Sequence, residues 1–218
     1  MRILVLVVVC IAALPGVAYR AVAFKEGPYP NVTGGFGEQS CHLCHLDNPV
    51  NAPGGRLDIE GAPSSYAPGE SYRITISIAR EGLRRGGFEI AARFASGKLK
   101  GRQAGRWKPL DDRVQLIPGA TDKTLTFVQH TLAGSRTPAP GSNRWTIEWQ
   151  APQTAAGPGA PGNIVQFNVA ANAANNDDSA LGDYIYVKAV RSAPARPSVT
   201  GSSSRPMPQF AAAHARAR

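Results

Sequence analysis

The chain has 218 residues, 24 Lys and Arg against 15 Asp and Glu, a formal net charge of +9 and 43% apolar residues. This is enough for one domain of ordinary size with its own core. The basic balance favours acidic partners or anionic surfaces, although a plain solvated surface has the same composition. No aromatic-basic binding motif points to nucleic acid.

Arg2 is followed by an apolar run from Ile3 to Ala13, then Pro15 and small residues that permit cleavage after Ala18 or Ala23. Residues 1–23 therefore read as a secretory signal peptide, and a periplasmic or secreted location follows. The run falls short of the roughly 20 residues that a transmembrane helix needs, and no later stretch comes close. Cys10 lies inside the run and leaves with it, so Cys41 and Cys44 are the only cysteines of the mature chain. The charge falls to +8 without Arg2 and to +7 if Arg20 is also removed.

Residues 24–55 are rich in Gly, Pro and Asn and contain Cys41-His42-Leu43-Cys44-His45. C-x-x-C-H is the attachment signature of c-type haem: two thiols at this spacing add to the porphyrin vinyl groups, and the adjacent imidazole is held under the iron. The motif predicts one covalent haem c, with His45 as an axial ligand. A thioredoxin-like pair would need a neighbouring βαβ pattern, which is missing. Four zinc ligands within five residues cannot surround a tetrahedral ion. A plain Cys41–Cys44 disulfide remains the alternative in an oxidising compartment.

From Arg56 the pattern becomes short alternating runs between Gly/Pro punctuation. Strands are predicted at Leu57-Ile59, Tyr72 to Ile78, Phe88 to Phe94, Val114-Leu116, Leu125 to His130, Trp145 to Trp149, Ile164 to Ala170 and Tyr184 to Val190. The expected fold is all-β: an immunoglobulin-like antiparallel β-sandwich of about seven to eight strands over residues 56–192, behind an N-terminal loop segment carrying the haem motif. No helix longer than a turn or two is expected. Residues 193–218, with Pro, Ser, Ala and Arg, read as a disordered tail.

Several blocks resemble one family. Gly55-Arg56-Leu57, Tyr66-Ala67-Pro68-Gly69-Glu70-Ser71-Tyr72, Gly87-Phe88-Glu89, Trp145 to Pro152, and Asn172-Ala173-Ala174-Asn175 followed by Gly182-Asp183-Tyr184-Ile185-Tyr186 are similar to the Reeler (reelin-type) domain. The resemblance spans roughly residues 36 to 190 and is narrower to bacterial relatives described as choice-of-anchor domains. It implies an extracytoplasmic immunoglobulin-like sandwich, often opened by a C-x-x-C-H motif. The C-terminus departs from the family in carrying no recognisable anchor or sorting signal. By analogy only, Reeler domains beside haem-binding redox modules imply electron transfer.

For the second axial ligand, Met1 leaves with the leader, Met207 and His214 lie in the tail, and His42 sits between the attachment cysteines. His130 remains in the folded body, and relatives carry a His-Thr pair similar to His130-Thr131. Ligation by His45 and His130 would close the iron, suiting electron transfer at a potential below that of His/Met cytochromes. Water or a tail residue at the sixth site is the other reading.

Other signals carry less. Asn175 to Asp178 with Asp183 offers oxygen ligands for calcium but reads as a polar turn. Gly34-Gly35-Phe36-Gly37 lacks the strand-to-helix setting of a phosphate loop and is expected to let backbone approach the haem. Asp111, Asp112 and Glu81 have no paired partner, and Asn31-Val32-Thr33 fits the glycosylation pattern. Trp145 and Trp149 read as core.

The leading expectation is an exported monohaem cytochrome that exchanges electrons with a redox partner, acidic by charge complementarity, with peripheral contact to anionic surfaces. It is not an enzyme on this reading. An adhesion or matrix-binding module with a Cys41–Cys44 staple is the alternative. A haem sensor or small-ligand enzyme with an open iron is a third.

Overall fold

The computed structural model describes residues 24–153 and 163–195. The leader and nearly all of the expected tail, with Met207 and His214, lie outside the described residues.

Among the described residues, ten strands form two sheets. The smaller has the order β1 (Gly55–Glu60), β3 (Ser71–Arg80), β8 (Ser142–Gln150), β5 (Arg106–Pro109). The larger runs β2 (Ser65–Tyr66), β10 (Tyr184–Pro194), β9 (Val165–Ala174), β4 (Arg85–Phe94), β7 (Thr126–His130), β6 (Val114–Pro118). All ladders are antiparallel except the two-residue β2–β10 pair. The one α-helix among the described residues is Leu132–Ser135, a single turn capped by the Thr131 side chain. The all-β sandwich expected from the alternation is present.

Alternation explains the core. Ile74, Ile76 and Ile78 of β3 and Trp145, Ile147 and Trp149 of β8 turn inward against Phe88, Ile90, Phe167 and Val169 of the larger sheet. Phe88 stacks on Trp145 at 4.5 Å and Phe167 meets Trp149 at 4.8 Å, so both tryptophans bridge the sheets. Their indole N–H groups donate to the carbonyls of Gly134 and Ala104 at 2.9 Å, which satisfies the polar end of each buried ring.

Strand number exceeds the expected seven or eight because β2 and β5 have only two and four residues, too few to carry an alternation signal. β10 also runs past the expected start of the tail, because Ala193 and Pro194 pair with Ser65 and Tyr66.

The outer face of the larger sheet is covered. Residues 24 to 53 pack across β4, β9 and β10: Val32 N–H donates to Glu89, Asn51 N–H to the Ile185 carbonyl, and Val187 N–H to Asn51 Oδ1. A Cβ on Gly35 would stand 2.2 Å from the Asn168 side chain. Close approach at Gly34 and Gly35 is therefore to β10 and β9. The glycine run is not among the cleft residues described below, which corrects the expectation that it brings backbone to the haem.

Candidate cofactor site

Between this N-terminal cover and the larger sheet lies a cleft of about 110 Å³, open to solvent at its mouth. Cys41, Cys44, His45 and His130 all line it. The walls are mainly apolar, with Phe24, Tyr29, Val32, Leu43 and Phe88 among them, and Gly86 and Gly87 contribute.

The attachment motif is held in shape locally. Cys41–Leu43 forms one 3-10 turn, capped where the Ser40 hydroxyl accepts from His42 N–H at 3.3 Å, and His45 N–H closes on the Cys41 carbonyl at 3.2 Å. Both cysteines are free thiols, Cys44 exposed and Cys41 half-buried. Burial, with a smaller contribution from the Glu89 carboxylate, pushes the Cys41 thiol up to about 12. His42 does not join the site residues: its Nε2 meets the Asn48 carbonyl at 3.1 Å.

His45 sits in a socket built by the two ends of the β9–β10 connection. Its Nδ1 is 2.8 Å from Asp183 Oδ2, a carboxylate only 1% exposed. Asp183 is itself held by Asn172 Nδ2 at 3.0 Å and by Asn175 N–H at 3.1 Å. The attachment loop is pinned to the same segment, since Asn48 Nδ2 donates to the Asp183 carbonyl and Gly182 N–H to Asp47. The block Asn172 to Asn175 with Gly182-Asp183 is thus the seat of His45. Sequence reading assigned Asp183 to a turn; 138 positions of chain separate it from His45, and no local spacing links them.

His130 is buried, 5% exposed, at the end of β7. β4 and β7 pair only at Glu89↔Gln129 and Ile90↔Val128, and the imidazole takes the next rung of the ladder. Phe88 N–H donates to Nδ1 at 3.0 Å, with the Phe88 carbonyl 3.3 Å from the same nitrogen, while Nε2 lies 3.3 Å from the Phe24 carbonyl. Burial pushes His130 down, favouring the neutral, ligand-competent imidazole. Nδ1 accepts from Phe88 N–H, so the proton lies on Nε2 and points to the Phe24 carbonyl; binding iron through Nε2 would exchange this for the tautomer in which Nδ1–H donates to the Phe88 carbonyl.

Beneath Cys41 lies a buried acidic group that sequence reading missed. Glu89 accepts from Val32 N–H at 2.6 Å and from Gln129 Nε2 at 3.0 Å, and burial pushes it up to about 7 despite these donors. Glu38 beside it is paired with Arg93.

The polar signals set aside earlier form local turns. Asn175 and Asp177 exchange hydrogen bonds with each other, Asp177 also accepts from Ser179 N–H, and Asp178 pairs with Lys25. Among the described residues, no group of three or more His, Cys, Asp or Glu side chains is placed to hold a metal by itself.

The residues present fit a covalently attached haem. Two thiols and two imidazoles border one mainly apolar cleft, a Cβ at position 87 would crowd the His130 ring, and the buried Asn172 Oδ1 is left without a partner.

No family model matches the chain, and no curated protein matches it. Among solved structures it is similar to the human F-spondin reeler domain, fragment 1, at 20% identity over 66% of this chain and 92% of that chain, TM-score 0.40. Fragment 2 of the same domain is 17% identical over 71% and 99%, TM-score 0.41. A cohesin module from Clostridium perfringens ATCC13124 is 8% identical over 65% and 98%, TM-score 0.38. No helix among the described residues is long and apolar enough to cross a membrane.

Proposed function

We propose that the protein is an exported monohaem c-type cytochrome that passes single electrons to or from a protein partner. One observation carries this reading: Cys41, Cys44 and His45 share one cleft with His130, the ligand that elimination along the sequence had already selected. Cys41 and Cys44 would hold the porphyrin, and His45 and His130 would bind the iron. The haem supplies the Fe(III)/Fe(II) couple. The chain supplies rigidity, since both imidazoles are tied to the sheet, and a low-dielectric wall that limits solvent reorganisation.

The leader-like first 23 residues support export, and the Asn172 to Tyr186 block supports a Reeler-type domain of the bacterial branch. The basic surface suits an acidic redox partner, with anionic surfaces as secondary contacts.

The test is a pyridine haemochrome spectrum of protein matured with the cytochrome c machinery, beside Cys41→Ala/Cys44→Ala. A c-type band lost in the variant is expected, as is conversion of a six-coordinate low-spin spectrum to high spin in His130→Ala. No band, with an oxidised Cys41–Cys44 pair, would sink the cytochrome and leave a binding module.

A further inference from the structure

We propose that Asp183 positions His45 for the iron and lowers the reduction potential of the centre. This rests on the cytochrome reading above and concerns a residue that the attachment motif does not contain.

The geometry leaves His45 few choices. Its side chain is 15% exposed and Asp183 is 1% exposed, so the 2.8 Å contact is shielded from competing water. A hydrogen bond donated by Nδ1–H to a buried carboxylate fixes the tautomer with the proton on Nδ1 and the lone pair on Nε2. The carboxylate cannot swing away. One of its oxygens also takes the Asn172 amide, the other takes Asn175 N–H, and its own backbone carbonyl is held by Asn48. Asn172 Nδ2 lies within 3.3 and 3.4 Å of the two ring nitrogens, which confines the plane of the imidazole further.

Electrostatics then sets the direction. A carboxylate sharing the Nδ1 proton makes the ring a stronger donor to iron, and its negative charge favours the ferric state, which carries one more positive charge than the ferrous. In the reduction Fe(III) + e⁻ → Fe(II), the electron comes from a one-electron donor protein and no proton need move. The buried charge therefore opposes reduction.

The experiment is spectroelectrochemical titration of full-length matured protein and of Asp183→Asn, with a pyridine haemochrome on each sample. Asparagine keeps the shape and removes the charge. The expected result is a low-spin spectrum with the Fe(II)/Fe(III) ratio at fixed potential raised about tenfold or more, equivalent to at least about 59 mV upward for one electron. An unchanged potential with low-spin haem retained overturns the proposal and leaves the cytochrome reading intact. Haem missing from the unmutated protein overturns both.

Asp183 also supports the β9–β10 turn, so Asp183→Asn can fail to fold. The unmutated protein then decides by ¹⁵N-histidine NMR in the diamagnetic ferrous state. A downfield, slowly exchanging His45 Nδ1–H supports the proposal, and a freely exchanging one overturns it.

Discussion

A methyl group at position 87 would stand 2.7 Å from His130 Cε1, in a buried ring held by Phe88 N–H and the Phe24 carbonyl. Gly87→Ala is expected to destabilise the fold by about 1–3 kcal/mol, the usual cost of overpacking, and to push haem-loaded protein towards high spin; thermal melts and absorbance spectra measure both. Glu89 makes a prediction of opposite character. Its folded value of about 7 lies above its ordinary 4.5, so the folded state keeps a proton that the unfolded chain releases first. Stability is unaffected below about pH 4.5, falls as pH rises towards 7, and stays lower above it by roughly 3 kcal/mol. Urea unfolding of the haem-free protein from pH 4.5 to 8 should show this decline, and Glu89→Gln should flatten it; Glu38 and Arg93, which also face this site, are unchanged in that variant. At this scale the sequence singled out Cys41, Cys44, His45 and His130, which the fold brings to one cleft, because few cysteines and histidines existed to choose among. Glu89 and Asp183 were not, because their importance comes from burial by distant parts of the chain.

At the scale of elements, the segment spanning residues 24 to 53 acts as a third layer, and the Glu38–Arg93 ion pair is its buried tie to β4, with side chains 9% and 6% exposed. Arg93→Ala would leave Glu38 facing Glu89 without its counter-charge. A loss of about 3–5 kcal/mol is expected, and Glu38→Gln/Arg93→Met should cost clearly less; chemical denaturation of the two variants tests the difference. Strands with five or more residues were readable from alternation, as in β3, where three isoleucines mark the core face. β4 shows the limit of that signal. Glu89 and Arg93 alternate with Phe88, Ile90 and Phe94 as solvent-facing residues would, yet both are buried because the N-terminal segment lies over them. Periodicity says which residues share a face, and only packing says what covers it.

For the whole molecule, the net charge of +9, or +7 without Arg2 and Arg20, would make encounter of the proposed cytochrome with an acidic electron donor or acceptor sensitive to salt. Second-order electron-transfer rates with such a partner should fall several-fold between about 10 and 150 mM ionic strength, as stopped-flow absorbance would show; a flat profile would exclude electrostatic docking. By itself the sequence determined the β-sandwich class and displayed the C-x-x-C-H motif, because alternation and motif spacing are written in residue types at short range. Tertiary structure alone decided that His130 borders the same cleft as the motif, that Asp183 backs His45, and that Glu89 lies in the dark beneath Cys41. Those relations depend on which strands become neighbours and on how the N-terminal segment folds back, and long-range pairing leaves no mark in local spacing.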